Sequence, residues 1–182
     1  VSNLSELTGT YAIDAAHSSL SFVARHAMVA KVRGSFEKFE GTANLDGQNP
    51  DNSSVRVTID PASVDTRSSD RDAHLASPDF FDVAQHPSWH FESTGVKVTG
   101  DDTFDVAGNL TIKGVTQPVT IPFEYTGSAT DPFGNQRAGF EGEITVNRKD
   151  FGLTWNAALE TGGVLVSEKV KLELEISAIK QA

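Results

Sequence analysis

The sequence predicts an all-β domain, an antiparallel barrel or sandwich of about eight or nine strands interrupted by one helical insert. Three observations carry this. Apolar and polar residues alternate along most of the chain, which is the period of half-buried strands. Turn signals recur at hairpin spacing, at Gly100-Asp101-Asp102, Lys113-Gly114 and Asp131-Pro132-Phe133-Gly134-Asn135. One stretch, from Ser63 to Asp82, breaks the period and carries helix-start residues instead.

The elements follow in order. Thr10 to Asp14 is a short β-like run, and Ala15 to Ser18 reads as a turn in which His17 is a turn residue rather than a ligand. Over residues 19–28, Leu20, Phe22, Ala24, His26 and Met28 share one face. That assigns His26 to the apolar face, where a histidine is more often a satisfied core residue than a ligand. Residues 31–45 alternate in two phases, through Val32, Gly34 and Phe36 and then Phe39, Gly41, Ala43 and Leu45. The slip at Glu37-Lys38 predicts a bulge that bends the strand. Asp46 to Ser54 is a loop by composition, and Val55, Val57 and Ile59 resume the alternation.

The insert, over about 68–84, holds Arg67, Asp70, Arg71, Asp72 and His74 and ends in Phe80-Phe81. Ser69 with Asp72 resembles a capping box, and Ser77-Pro78 predicts a second helical turn. Arg67 and Arg71 are four apart, so one helical face carries both if the helix starts early enough. In a β chain such an insert closes or lines the mouth of a cavity, or it plugs one end of the sheet packing. The pattern allows either role.

After Pro87 the β period returns. Trp89, Phe91 and Ser93 lead a strand, and Phe104, Val106, Gly108, Leu110 and Ile112 lead the next. Val119, Ile121, Phe123 and Tyr125 follow, with Pro118 and Pro122 marking an edge or bulged position. Ala138, Phe140, Gly142, Ile144 and Val146 return from the hairpin. Asn147 to Trp155 is irregular, and the polar stretch beyond it ends at Gly162-Gly163. The last strand has a mainly apolar face through Val166, Glu168, Val170, Leu172, Leu174 and Ile176. Its other face carries Lys169, Lys171, Glu173 and Glu175, as in a sheet packed on one side only.

Composition narrows the function. The chain of 182 residues forms one domain, with residues 1–8 expected to be a flexible start. There is no cysteine, which removes disulfides, zinc–thiolate sites and thiol catalysis. Fifteen basic against 25 acidic residues give a net charge of −10, a poor balance for holding nucleic acid or lying on an anionic membrane. No apolar run reaches the length of a membrane span, so no stable membrane insertion is expected. The opening VSNLSELTGTY lacks the segments of a leader. It predicts a cytoplasmic protein, or a secreted or periplasmic one if the chain was trimmed.

No nucleotide-binding, hydrolase or zinc-protease motif is present. His86 and His90 are four apart and make an incomplete metal site, so no metal and no cofactor is expected. The dense polar group is Arg67, Arg71, Asp72 and His74. Two guanidinium groups together suit a phosphate or carboxylate, or the group ties the insert to neighbouring strands. The apolar residues say more. Phenylalanine numbers 11, and Phe22, Phe36, Phe39, Phe91, Phe104, Phe123 and Phe140 recur at alternating positions. In a filled barrel they are core. Small residues on the same faces (Gly34, Gly41, Ala43, Gly108, Gly142) would instead leave room for a hydrocarbon chain.

Several segments together resemble the YceI-like family, also called polyisoprenoid-binding or lipid-binding lipocalin-like proteins. They are YAIDAAHSSLSF (11–22), HAMVAKVRGSF (26–36), RDAHLASPDFFD (71–82), FEST (91–94), GNLTIKGVT (108–116) and NRKDFG (147–152). Tyr11 stands where the family commonly has Trp. The resemblance implies a lipocalin-like antiparallel barrel with a long hydrophobic tunnel that takes a polyisoprenoid, an isoprenoid quinone or a fatty-acyl amide. It implies binding or carriage, with no catalytic residues established for the family.

The residues expected to line such a tunnel are those seven phenylalanines with Leu20, Leu110, Phe80, Phe81 and Trp155. Head-group contacts are expected from His26, Arg67, Arg71, Asp72 and His74. The alternatives are an enzyme of isoprenoid or quinone metabolism using His26, Arg71, Asp72 and His74 as acid–base groups, and a filled structural barrel. A homodimer is compatible with all three.

Overall fold

The computed structural model of the chain describes residues 3–27, 29–156 and 166–181. Among them are eleven strands and one α-helix. The strands are β1 (Gly9–Ile13), β2 (Ser19–His26), β3 (Ala30–Phe36), β4 (Phe39–Leu45), β5 (Ser54–Ile59) and β6 (Val64–Asp65), then β7 (Trp89–Val98), β8 (Thr103–Ile112), β9 (Val115–Thr130), β10 (Gln136–Asn147) and β11 (Lys169–Lys180). The helix, α1, is Ser69–Ala76. Met28 and the polar stretch ending at Gly162-Gly163 lie outside the described residues.

All pairings are antiparallel, and eight strands close a ring in the order β1-β4-β5-β7-β8-β9-β10-β11. The alternation leaves barrel and sandwich open, and the closed ring is the barrel, with its short helical insert, that the family resemblance implies. Closure depends on β11, which pairs β10 along one edge and shares its other edge between two partners. Its end pairs β1 from Ala178↔Ile13 to Lys180↔Tyr11, and its first half pairs β2 from Lys171↔Val23 to Glu175↔Ser19. Between them the chain makes one 3-10 turn, Ala15–His17, capped by the Asp14 carboxylate accepting from the Ala16 amide at 3.1 Å. From β2 the sheet continues to β3 and to the two-residue β6. The barrel is therefore sealed at one end and splayed at the other.

The slip at Glu37-Lys38 is a break rather than a bulge. β3 stops at Phe36 and β4 starts at Phe39, so the count rises to eleven. The corner is gripped by Ser63, whose carbonyl accepts from the Glu37 amide at 3.2 Å and whose hydroxyl accepts from the Lys38 amide at 3.0 Å. The prolines obey the edge rule. β9 pairs β10 only from Phe123 onward, so Pro118 and Pro122 lie where one edge of β9 is open.

Two core clusters fill the barrel. One centres on Phe36, Phe81, Trp89, Phe91, Val106 and Leu110 towards the splayed end. The other joins Leu4, Leu7, Tyr11, Tyr125, Ala138 and Ala178 at the sealed end. Where the sequence suggests a flexible start over residues 1–8, Asn3–Glu6 form a 3-10 turn and bury Leu4 and Leu7. The apolar surface of these two leucines is what holds the segment down.

An ion network on the barrel wall ties three segments together. Arg137 on β10 donates from Nε to Asp131 at 2.7 Å and from Nη1 to Asp14 at 2.8 Å, and His17 Nδ1 lies 2.7 Å from the same Asp14 oxygen. The Arg137 hydrogen bond holds the Asp131 carboxyl down to about 2, and Arg137 followed by His17 lowers Asp14. Because the folded pKa values are depressed, the stabilisation is complete above the ordinary aspartate value of about 3.9 and is lost as pH falls through the folded values. The stability difference between wild type and Arg137→Ala, followed by urea unfolding, should therefore be largest near neutral pH. It should shrink steadily as pH falls from about 5 towards about 2.

Candidate functional site

The barrel interior is built from cross-strand pairs. Phe22 on β2 sits opposite Gly34 on β3, and Phe123 on β9 sits opposite Gly142 on β10. In each pair the ring lies over the glycine. A methyl group on Gly34 would overlap the Phe22 ring and lie 2.9 Å from Thr66 Cγ2, and one on Gly142 would lie 2.6 Å from Phe123 Cε1. Phe91 covers Gly108 in the same way, 2.6 Å from where a Cβ would stand. Aromatic rings commonly cover strand glycines like this. The small residues thus do not leave room by themselves; neighbouring rings occupy it.

The rings meet in chains along the barrel. Phe22–Phe36–Trp89–Phe81 are linked at centroid spacings of 5.7, 5.0 and 4.7 Å. Towards the sealed end, Phe104 contacts Phe123 at 5.7 Å and Phe140 at 5.8 Å. Beside them is an apolar void of about 50 Å³, lined by residues including Leu4, Leu7, Val96, Phe104 and Phe140. That is far below the roughly 300–1,000 Å³ of an ordinary ligand pocket. Of the residues expected to line a tunnel, Leu20, Phe36, Phe80, Phe81, Phe91 and Leu110 are buried. Phe22, Phe104, Phe123, Phe140 and Trp155 are half-buried and pack against the core. Phe39 is half-buried and stands outside both core clusters.

The interior contains almost no polarity. Among the described residues the buried polar or charged side chains are Thr66 and Arg148. The indole Nε1 of Trp89 is a further buried polar atom, and it has no hydrogen-bond partner.

The insert closes the splayed end as a plug. Helix α1 is capped by Ser68, not Ser69, with the Ser68 hydroxyl accepting from the Arg71 amide at 3.3 Å. Ser77-Pro78 opens hydrogen-bonded turns rather than a second helix, and these fold Phe80 and Phe81 into the core. Thr66 ties the plug down. Its amide donates to Asp72 Oδ1 at 2.9 Å and its hydroxyl to the same oxygen, while Arg71 Nε donates to the hydroxyl at 2.7 Å and Arg71 Nη2 to the carbonyl. His74 is held 3.0 Å from Asp79 and stacks edge-on against Phe80 and Trp155 at 5.1 and 4.8 Å.

Beside the plug lies an open polar notch of about 670 Å³, lined by His26, Lys31, Arg33, Arg67 and Arg71 with Glu37 and Asp65. It follows the free edge of β3, which pairs β6 only at Ser35 and Phe36. Arg67 precedes α1 and has a φ of 66°, so it shares the notch with Arg71 but not a helical face. His26 is exposed, although the alternation puts it on the apolar face. β2 outruns its ladder with β11, and His26 there makes only an isolated antiparallel bridge with Val166. His26, Arg67 and Arg71 thus line one notch, with Arg71 bound through Nε and Nη2 to Thr66, whereas Asp72 and His74 do not line it and are engaged within the plug. Arg33 reaches out to Glu173. Among the described residues, no three His, Asp or Glu side chains are placed to hold a metal ion.

Sequence reasoning missed Arg148. Only 4% exposed, it donates to the carbonyls of Leu153 at 2.6 Å, Trp155 at 2.9 Å, Val166 at 3.2 Å and Ser167 at 2.8 Å. Burial pushes its pKa down, opposed by the Glu168 charge. It staples the chain before residue 156 to the chain after 166, beside paired Asn156–Val166 bonds of 2.8 and 3.0 Å. The NRKDFG segment contains this arginine, but no local pattern shows that its partners are carbonyls up to 19 residues away.

The Thr66 lock gives a direct test. Thr66→Val keeps the shape but strands Arg71 Nε and removes a donor from Asp72. It should destabilise the protein by about 1–3 kcal/mol in urea unfolding and speed amide exchange selectively in α1. Unchanged stability and exchange would show that the plug is held by its phenylalanines alone.

Comparison with known proteins agrees with this geometry. The family model for the YceI-like domain matches residues 11–178. A UPF0312 protein of Azotobacter vinelandii is 39% identical over 177 residues, 96% of this chain and 89% of its own. One from Pectobacterium atrosepticum is 40% identical over 165 residues, 91% of this chain and 82% of its own. Among solved structures, Burkholderia cenocepacia BcnA superposes with a TM-score of 0.80 at 26% identity, covering 91% of this chain and 98% of its own. A polyisoprenoid-binding domain from Saccharophagus degradans shares the fold with a TM-score of 0.72 at 17% identity, covering 94% and 98%.

Proposed function

The chain belongs to the YceI-like family, and on that footing we propose that it binds one long apolar chain inside the barrel and carries or stores it without transforming it. The observation that supports this best is the uniform oiliness of the interior. Apolar and aromatic side chains pack from Phe80 and Trp155 at the plug to Leu4 and Leu7 at the far end, and among the described residues the buried polar side chains are Thr66 and Arg148. An enzyme would need acid–base groups beside the chain; of the candidates, Asp72 and His74 are engaged within the plug and His26 stands in the outer notch, away from the apolar clusters. A polyisoprenoid, an isoprenoid quinone or a fatty-acyl amide fits such an interior.

Uptake is coupled to ring movement in this reading. The void of about 50 Å³ is too small for a chain, so half-buried rings such as Phe22, Phe104 and Phe123 swing aside as the chain enters. Burial yields about 0.8 kcal/mol per CH2, so ten carbons give roughly 8 kcal/mol before any cost. Association costs roughly 4–15 kcal/mol, and displacing packed rings adds to that. Short chains therefore bind weakly and long ones well. A charged end would stay outside in the notch, where His26, Arg67, Arg71 and Lys31 face an open cleft.

Two measurements test the proposal. Mass spectrometry of the organic extract from denatured protein should show a long-chain lipid. Titration of delipidated protein with prenyl alcohols should give affinity that climbs with each isoprene unit. An empty extract together with no uptake at any length would refute carriage.

A further inference from the structure

Trp89 opens β7 opposite Ile59 and is 6% exposed. Its ring stands edge-to-face against Phe36 at 5.0 Å and Phe81 at 4.7 Å. Its Nε1–H is the one buried side-chain nitrogen or oxygen among the described residues with no hydrogen-bond partner. A stranded donor of this kind costs about 1–3 kcal/mol. Phe in this position would supply the same kind of apolar surface without that cost. The Trp89 ring also lies one ring behind the notch wall. Phe36 follows Gly34, a notch residue, by two positions on β3, and it contacts both Phe22 and Trp89.

We propose that the Trp89 indole N–H is a specificity-determining contact, which receives a neutral carbonyl oxygen at the polar end of the bound chain. The inference rests on the carrier reading above and narrows it. A chain entering past Phe22 and Phe36 reaches the Trp89 ring next, and an acceptor oxygen there satisfies a donor that the protein leaves unpaired. The surroundings are aromatic and dry, so an anionic group is disfavoured at this depth and a neutral one is favoured. The ligand class is therefore a long apolar tail on a quinone-like or amide-like head, rather than a plain hydrocarbon or a chain whose first buried group is a phosphate.

The test uses two probes with one tail, decylbenzoquinone and decylbenzene, on 15N-labelled full-length protein. The chain has two tryptophans, so two indole signals are expected, and the one absent from Trp89→Phe belongs to Trp89. Decylbenzoquinone should move the Trp89 indole proton downfield and bind about tenfold tighter than decylbenzene. In Trp89→Phe the preference should vanish while decylbenzene is still taken up. If that variant does not fold, benzothienylalanine at position 89, which has sulfur in place of N–H, keeps the ring shape and should show the same loss. Equal affinity for both probes with an unmoved indole proton overturns this inference alone. Uptake of neither probe while long prenyl alcohols still bind also overturns this inference alone; refusal of the prenyl alcohols as well overturns the carrier reading and this inference with it.

Discussion

The architecture depends on one strand edge that is shared between two neighbours. β11 pairs β2 along its first half and β1 at its end. A strand that changes partner partway closes the ring at one end only, since β2, β3 and β6 must splay away at the other. The sealed end needs only Leu4 and Leu7 against Tyr11, Tyr125 and Ala138. The splayed end needs a plug, and the insert supplies it. Its backbone and charged side chains are tied through Thr66, and its aromatic turn goes into the core. Arg148 then fixes the chain on the other side of that opening by bonding carbonyls rather than carboxylates. Charge in this protein thus serves mainly to hold geometry at the rim, and the inside is left to apolar contact.

That division bears on binding. Rings laid over glycines fill the interior, and such contacts are individually weak and reversible. A chain that enters exchanges ring–ring and ring–glycine contacts for ring–chain contacts of similar quality. The gain comes from apolar surface leaving water, which grows with chain length. A closed, packed barrel and a carrier of long chains are therefore compatible if the half-buried rings can yield while Phe36, Phe91 and Val106 hold the wall.

Much of the fold was legible because a sheet with one wet face writes itself as a period of two. The strands after Pro87, the hairpin turns and the edge position of Pro118 and Pro122 all follow from local pattern. What was not legible depends on distant partners. His26 continues an apolar face in sequence, yet it is exposed because β11 stops short of it. Gly34 and Gly142 look like vacancies until register sets Phe22 and Phe123 opposite them. Ser68 and Ser69 are equally good caps by composition, and only the bond to the Arg71 amide separates them. Arg148 and the unpaired N–H of Trp89 have no local signature, because what matters is which groups the fold brings to them.

The central claim is that the aromatic interior opens along its length for a chain. A crystal structure of the protein soaked or co-crystallised with a long-chain prenyl alcohol measures this most directly. The account predicts continuous density from the Phe80–Trp155 end towards Leu4 and Leu7, with Phe22, Phe104 and Phe123 rotated off their present positions. Rings unmoved, with the chain lying in the notch or on the outer wall, would contradict it.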